Sequence, residues 1–402
     1  MQIPVMITGV IVIVIGLFVG ISVLSHVSPT TSCTQSSGAA SFSVSDTITV
    51  GGSPSEFTFI DGFIYLVNQG DDTVSVIDPN DNSIVDTIII GDNPQYITSN
   101  NGFVYVTNSG DDTVSVIDTS DNTVVDTVTV GNNPNGIIIS NGFVYVANSG
   151  DDTVSVIDTN DNSVVDTVTV GNFPYYMTFA NGFVYVDNLS DPTVSVIDTS
   201  DNTVVDTVTV SDNPGYIMSS NGFVYTPNGD GTVSVIDTND NSVVDTVTVG
   251  AGPTFLISSN GFIYVSNSND NTVSVIDTNN NSVVDTIVVG TNPYFGTSDS
   301  EFVYIENYND GTISVIDTSD NSVVDTVTVG NGPYYMIHAN GFVYVGNYDD
   351  GTVSVIQTTQ ATTSSNSLVC STADSTLGAV AILIGVIFVI VAVILISVIR
   401  ML

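Results

Sequence analysis

PQYITSNNGFVYVTNSGDDTVSVIDTSDNTVVDTVTVGNN, residues 94–133, is one copy of a unit that the chain repeats along most of its length. It contains four short runs rich in Val, Ile, Thr and Tyr: QYITS, FVYVTN, TVSVID and VVDTVTV. Alternation within the runs, and the turn clusters NNG, NSGDD, DTSDN and GNNP around them, mark them as strands of an antiparallel meander. Four strands in about 40 residues is the signature of a β-propeller blade.

The GFVY core of the unit returns at Gly102, Gly142, Gly182, Gly222 and Gly341, with GFIY at Gly62 and Gly261 and EFVY at Glu301. The first strand follows Pro54, Pro94, Pro134, Pro174, Pro214, Pro253, Pro293 and Pro333, which makes eight blades. The third strand ends at Asp78, Asp118, Asp158, Asp198, Asp237, Asp277, Asp317 and Gln357, again eight. The Asp-Thr pair of the fourth strand occurs only seven times in that frame, at Asp86, Asp126, Asp166, Asp206, Asp245, Asp285 and Asp325. The missing copy lies upstream, in SVSDTITVG at 43–51, with Asp46 in the expected place. The expectation is an all-β, eight-bladed β-propeller of four-stranded blades over 44–357. The N-terminal strand completes the last blade and leaves no sheet edge between first and last.

The segments YVTN at 105–108, VSVID at 114–118 and VVDTVTVG at 124–131 resemble the YVTN-repeat β-propellers of archaeal surface-layer-type and bacterial secreted proteins. The resemblance covers 44–357 and implies a propeller at a cell surface. It does not imply an activity, because propellers carry many functions.

Residues 3–24 and 377–399 contain no charged side chain, and each is long enough to span a bilayer core of about 20 helical residues. The expected organisation is an N-terminal transmembrane anchor (or uncleaved signal) at 1–24, a Ser/Thr-rich linker at 25–43, the propeller, a second Ser/Thr-rich linker at 358–376 and a transmembrane helix at 377–399. Arg400, the only basic side chain, follows the second segment and places that end in the cytoplasm. Both termini are then cytoplasmic and the propeller extracytoplasmic, on a cell or a virion. Each linker holds one cysteine, Cys33 and Cys370, and the oxidising side of a membrane favours a disulfide between them.

Forty-two Asp and Glu face one Lys or Arg, a formal net charge of −41. Nucleic acid is excluded as a partner, since phosphate binding needs clustered Lys and Arg. The self-repulsion calls for salt, bound cations or acid. Loose binding of calcium or other cations fits the Asp-rich turns (Asp111, Asp112, Asp118, Asp121, Asn122), although the same residues are what tight turns require. No loop carries a complete calcium-loop pattern; Asn228 to Gly231 is the nearest. The aspartates of the fourth strands read either as a cation ring or as charges that keep exposed edges from pairing.

The chain has two histidines, His26 and His338, and no nucleophile or metal motif, so no enzyme and no cofactor are expected. Asn188 and Asn280 begin possible glycosylation sequons. The fourth-to-first loops differ most between units. After their prolines stand Tyr96, Tyr175, Tyr176, Tyr216, Phe255, Tyr294, Phe295, Tyr334 and Tyr335, close to the channel mouth on the face turned away from the membrane. Aromatic rings with polar tips suit protein or glycan contact, and equally suit plugging the hub. The expected role is structural or adhesive, with protein, glycan or self partners on that face. The alternative is a ligand-sensing or solute-binding receptor that uses the tyrosine-rich mouth.

Overall fold

The computed structural model describes residues 32–34, 40–359 and 369–371. The hydrophobic segments 3–24 and 377–399, and most of both linkers, lie outside the described residues. Among the described residues no helix is long and apolar enough to cross a membrane.

The unit Ala40–Gln360 is built of eight four-stranded antiparallel sheets. Each holds four consecutive strands in chain order, with one exception. In the second blade these are Pro94–Asn100, Phe103–Asn108, Thr113–Asp118 and Thr123–Thr129, from innermost to outermost. Blades are numbered by their prolines, from Pro54 in blade one to Pro333 in blade eight. The hairpin between the first two strands turns on Asn-Gly. Asn101 and Gly102 have φ of 50° and 83°, the pairing that a two-residue hairpin needs to match strand twist.

Each blade is too thin to hold a core of its own, and the apolar side chains meet between neighbours. Tyr65, Val67, Val74 and Val76 of blade one pack on Ile97, Val104, Val106 and Ile117 of blade two, and the pattern is repeated around the ring. The tyrosine of every GFVY motif is almost fully buried in such an interface. In five of the eight blades its hydroxyl donates to an Asn in the next blade's third-to-fourth turn, whereas the Tyr225 hydroxyl is buried without a partner. Tyr65 donates to Asn122 Oδ1 at 2.7 Å, Tyr185 to Asn241 at 2.8 Å and Tyr264 to Asn321 at 3.0 Å.

The exception is blade eight. Its outermost strand is Ser41–Thr49, paired antiparallel with Thr352–Thr359 in a register that sets Ser41 opposite Thr359 and Asp46 opposite Val355. Chain entry to the propeller and exit from it therefore lie side by side, at the third-to-fourth-strand end of one blade. Two interfaces close the ring. Ile48, Tyr344, Val353 and Val355 pack on Ile64, Leu66 and Ile77 of blade one, and Tyr344 donates to Asn82 at 3.0 Å. On the other side Phe42 is buried against Phe302 of blade seven, ring centroids 4.9 Å apart and edge to face. Its backbone N–H donates to Asp325 at 3.3 Å.

Blade eight has no third-to-fourth turn, so the tyrosine of blade seven has no Asn to reach. Tyr304 donates instead to Asp299 Oδ2 within its own blade at 3.0 Å. Asp299 Oδ1 also accepts the N–H groups of Glu301 and Phe302 at 2.8 and 2.7 Å. It thereby shapes the one hairpin that lacks a glycine.

The second unit is described only as a two-stranded antiparallel pair, Ser32–Thr34 with Val369–Ser371, whose backbone register sets Cys33 opposite Cys370.

Phe42 anchors the closing strand, and truncating a buried Phe removes about 3–5 kcal/mol. We expect Phe42→Ala, and more strongly deletion of 41–49, to lower the thermal midpoint, while Val125→Ala on the exposed rim leaves it unchanged. A 41–49 deletion that melts with the parent would contradict closure by this strand.

Candidate functional site

In every blade except the fifth and sixth, the ladder between the two inner strands skips the two residues after the proline; in blade six Phe255 stays paired with Ser266, and in blade five the pairing resumes only at Met218. The register passes from Pro94 to Ile97 in blade two and from Pro333 to Met336 in blade eight. Apart from Phe255, the second and third residues of the inner strands are thus freed from sheet pairing, and they converge on the central channel. Here the copied unit has diversified.

The third positions are Glu56, Tyr96, Gly136, Tyr176, Tyr216, Phe255, Phe295 and Tyr335. Their rings form an unbroken arc. Tyr176 meets Tyr216 at 5.2 Å, Tyr216 meets Phe255 at 4.1 Å, Phe255 meets Phe295 at 4.8 Å, and Phe295 stacks on Tyr335 at 3.7 Å. Tyr96 of blade two reaches across to Tyr176 of blade four at 5.8 Å and to Tyr335 of blade eight at 6.3 Å. This closes the channel with aromatic side chains. Gly136 leaves room for the neighbouring blade, since a Cβ there would lie 2.0 Å from the Tyr175 carbonyl oxygen.

The second positions, one residue nearer the loops, form the mouth. Blades one and two contribute Ser55 and Gln95, and blades four, seven and eight contribute Tyr175, Tyr294 and Tyr334. A cavity of about 300 Å³ opens there, lined by Ser55, Gln69, Gln95, Tyr96, Tyr175, Tyr308, Tyr334, Tyr335 and Tyr348. Four of the nine aromatics expected at the mouth therefore line the cavity. Tyr176, Tyr216, Phe255, Tyr294 and Phe295 lie in the ring-on-ring packing around it.

The skipped backbone N–H groups need acceptors, because an unpaired buried donor is costly. The fifth position of the second strand supplies several of them. Thr107 Oγ1 accepts Tyr96 N–H at 3.0 Å. Asp187 Oδ1 accepts both Tyr175 and Tyr176 N–H, at 3.1 and 2.6 Å. Glu306 Oε1 accepts Phe295 N–H at 2.9 Å. Glu56 Oε2, from the inner strand of blade one, accepts Ile97 N–H at 3.0 Å. Asp187 and Glu306 are fully buried, and Asp187 Oδ2 and Glu306 Oε2 have no partner. Burial pushes the carboxyls of Glu56 and Glu306 up to about 8, against the opposing pull of their backbone donors. It raises Asp187 well above the usual range. Glu56 keeps part of its surface in contact with solvent, but its carboxyl is ringed by the hub. Burial also raises the phenols of Tyr96, Tyr175 and Tyr335. At neutral pH the hub and mouth are accordingly held largely uncharged inside a strongly acidic molecule.

The other candidates take structural positions. Asp118 Oδ1 accepts Ser120 N–H at 2.8 Å, Asp121 accepts Thr123 N–H at 3.2 Å, and Asp112 accepts Asn133 N–H at 2.8 Å. Each completes a turn. Each outer strand bulges before its aspartate, as between Val124 and Asp126, and Asp126 accepts Thr127 N–H at 2.8 Å. His338 lies 4.0 Å from Asp299. Among the described residues, no three His, Cys, Asp or Glu side chains are grouped to hold a metal ion.

Reading the fourth-to-first loops alone missed Ser55, Gln69, Gln95, Tyr308, Tyr348 and the three hub carboxyls. Their signal was present. The residue after each second strand runs Gln69, Ser109, Ser149, Leu189, Gly229, Ser268, Tyr308, Tyr348, and the fifth residue of that strand varies from Gly346 to Glu306. The positions around them are copied.

No protein-family model matches the chain, and no curated protein matches it. Solved structures share the fold. The computationally designed Ika8 protein aligns with a TM-score of 0.69 at 16% identity, over 76% of this chain and 96% of that one. BamB from Moraxella catarrhalis aligns with a TM-score of 0.62 at 13% identity, over 79% and 100%. The dihydro-heme d1 dehydrogenase NirN aligns with a TM-score of 0.64 at 16% identity, over 82% and 78%. At these identities the likeness is one of fold, and it defines the chain as an eight-bladed β-propeller.

The raised hub carboxyls set a pH dependence. A carboxyl whose folded pKa exceeds its unfolded value, 4.5 for Glu306, contributes most below the unfolded value and loses that contribution as pH rises toward about 8. The turn aspartates act oppositely. Hydrogen bonds from the hydroxyl and N–H of Ser120 hold Asp118 below its usual 3.8, and that contribution is lost as pH falls through the folded value. The expected stability optimum lies in mild acid, near pH 4–5 (from reference values of about 3.9 for Asp and about 4.3 for Glu). Glu306→Gln should flatten the decline between pH 5 and 9. Equal midpoints for the parent at pH 5 and pH 9 would overturn this account of the hub.

Proposed function

We propose that this chain is a non-catalytic recognition propeller of YVTN type, displayed on a cell or virion envelope with a structural or adhesive role. The hydrophobic segments at 3–24 and 377–399 hold it to the membrane by both ends, and a Cys33–Cys370 disulfide ties the two linkers together. The observation that carries the reading is the distribution of variation in the repeat. Rim, turns and inter-blade cores are near-copies, while the diversified side chains converge on one mouth. That mouth is on the opposite face from Ser41 and Thr359, where the chain enters and leaves the propeller, so it would point away from the membrane. Tyrosine-rich, largely neutral surfaces suit protein and glycan contact. The acidic remainder keeps copies apart until cations or acid neutralise it. The mouth cavity also favours a second reading, a receptor for a small solute.

Negative-stain imaging of the full chain in detergent tests the first reading at neutral pH, at pH 4 and with millimolar calcium. Discrete particles at neutral pH that assemble into ordered arrays once charge is neutralised are the expected result. Particles that stay separate under every condition count against a structural role.

A further inference from the structure

We propose that the cavity at the propeller mouth is a subsite for one neutral sugar ring, with its hydroxyl edge against a polar wall and its C–H face against tyrosines. The inference rests on the reading of this mouth as the contact face, and it names what that face takes.

The cavity has two kinds of lining. Its Ser55, Gln69 and Gln95 come from blades one and two, and its tyrosine rings come from blades two, four, seven and eight. A pyranose has the same division, with hydroxyls around its edge and C–H groups on its faces. Amides and hydroxyls serve the first as both donors and acceptors, and aromatic rings serve the second. The volume of about 300 Å³ stands at the lower end of the usual range for ligand pockets, about 300–1,000 Å³, which suits a single ring.

The polar wall is held in place before any ligand arrives. Tyr348 OH donates to Gln69 Oε1 at 2.9 Å, and Gln69 Nε2 donates to Asn93 Oδ1 at 3.2 Å. Gln95 Nε2 donates to the same Asn93 oxygen at 3.0 Å. Tyr334 is propped edge to face by Tyr308 at 6.4 Å and Tyr348 at 5.7 Å. One polar atom on the wall is left over. Ser55 is only 5% exposed, and its Oγ has no hydrogen-bond partner in the protein. A buried hydroxyl without a partner is costly, and a turn about its own Cα–Cβ bond toward the cavity would let a ligand satisfy it.

Charge narrows the ligand class. No carboxylate and no basic side chain lines the cavity, and a protein of formal charge −41 repels anionic sugars. A quaternary ammonium would find the tyrosine faces attractive. It would, however, leave the Ser55, Gln69 and Gln95 wall unused.

The chain has no tryptophan, so tyrosine emission can be followed directly, with the buried inter-blade tyrosines as a background that parent and variants share. The test titrates the full chain, in a detergent without a sugar headgroup, with methyl glucoside, methyl mannoside, methyl galactoside and N-acetylglucosamine. Tetramethylammonium is the cationic probe, and thermal midpoints are read in parallel. At least one sugar should change the fluorescence saturably and raise the midpoint. Gln95→Ala and Tyr334→Ala should each weaken that sugar by about tenfold or more, roughly 1.4 kcal/mol, in chains that circular dichroism shows to be folded. Val125→Ala on the rim should bind as the parent does. Response to tetramethylammonium alone, or to none of the probes by a folded chain, overturns the subsite. Arrays that still form in the absence of sugar binding would leave the surface role standing and remove only this inference. Sugar binding without arrays would do the reverse.

Discussion

The structure depends on apolar surface being buried between blades, because no blade can bury enough within itself. A four-stranded sheet has two faces and here shares each with a neighbour, so an open row would leave two apolar faces in water. The ring must close. It closes at a joint where one strand comes from residues about 300 positions away from its partners, without a covalent bond among the described residues of that blade. In five blades the buried tyrosine hydroxyl ties one blade to the next in the same way. Where closure removes the turn that would receive Tyr304, Asp299 accepts its hydroxyl and also replaces the missing Asn-Gly geometry. One departure from the repeat thus answers a vacancy created by another.

Near-identical blades restrict where individuality can enter. Positions in the inter-blade cores face two sheets at once, and a change there disturbs both. In most blades the two inner-strand residues after the proline are free of the ladder, and their side chains meet across the channel. Freeing them exposes backbone donors, and Thr107, Asp187 and Glu306 take up part of that load. In a molecule with so many exposed carboxylates, the few that reach the hub are held mostly protonated at neutral pH by burial. The mouth therefore presents amides, hydroxyls and rings.

Much of this was legible in the sequence. The blade count, the four-strand unit and the displaced final strand followed from a 40-residue period and from one Asp-Thr pair out of place. The nine aromatics after the prolines were also visible, since they broke a copied pattern. What they did there was not. Whether Phe295 packs or binds depends on its meeting Phe255 and Tyr335 from the neighbouring blades, and the period of the sequence contains no information about such contacts. Asp187 and Glu306 were hidden because a lone carboxylate in an acidic chain looks like one more surface charge. Only the sheet register shows that the fifth residue of the second strand stands beside unpaired N–H groups.

Closure of the ring by residues 41–49 is the claim on which the remainder stands, and native-state hydrogen exchange measures it most directly. If the account is right, the amides of Val353 to Val355 exchange as slowly as those of Val114 to Val116 in blade two, those of Thr47 to Thr49 as slowly as those of Thr127 to Thr129 in the matching outer strand, and both sets are released together in one cooperative opening. Solvent-rate exchange across 41–49, with blades one to seven still protected, would show that the eighth blade stands open and would contradict it.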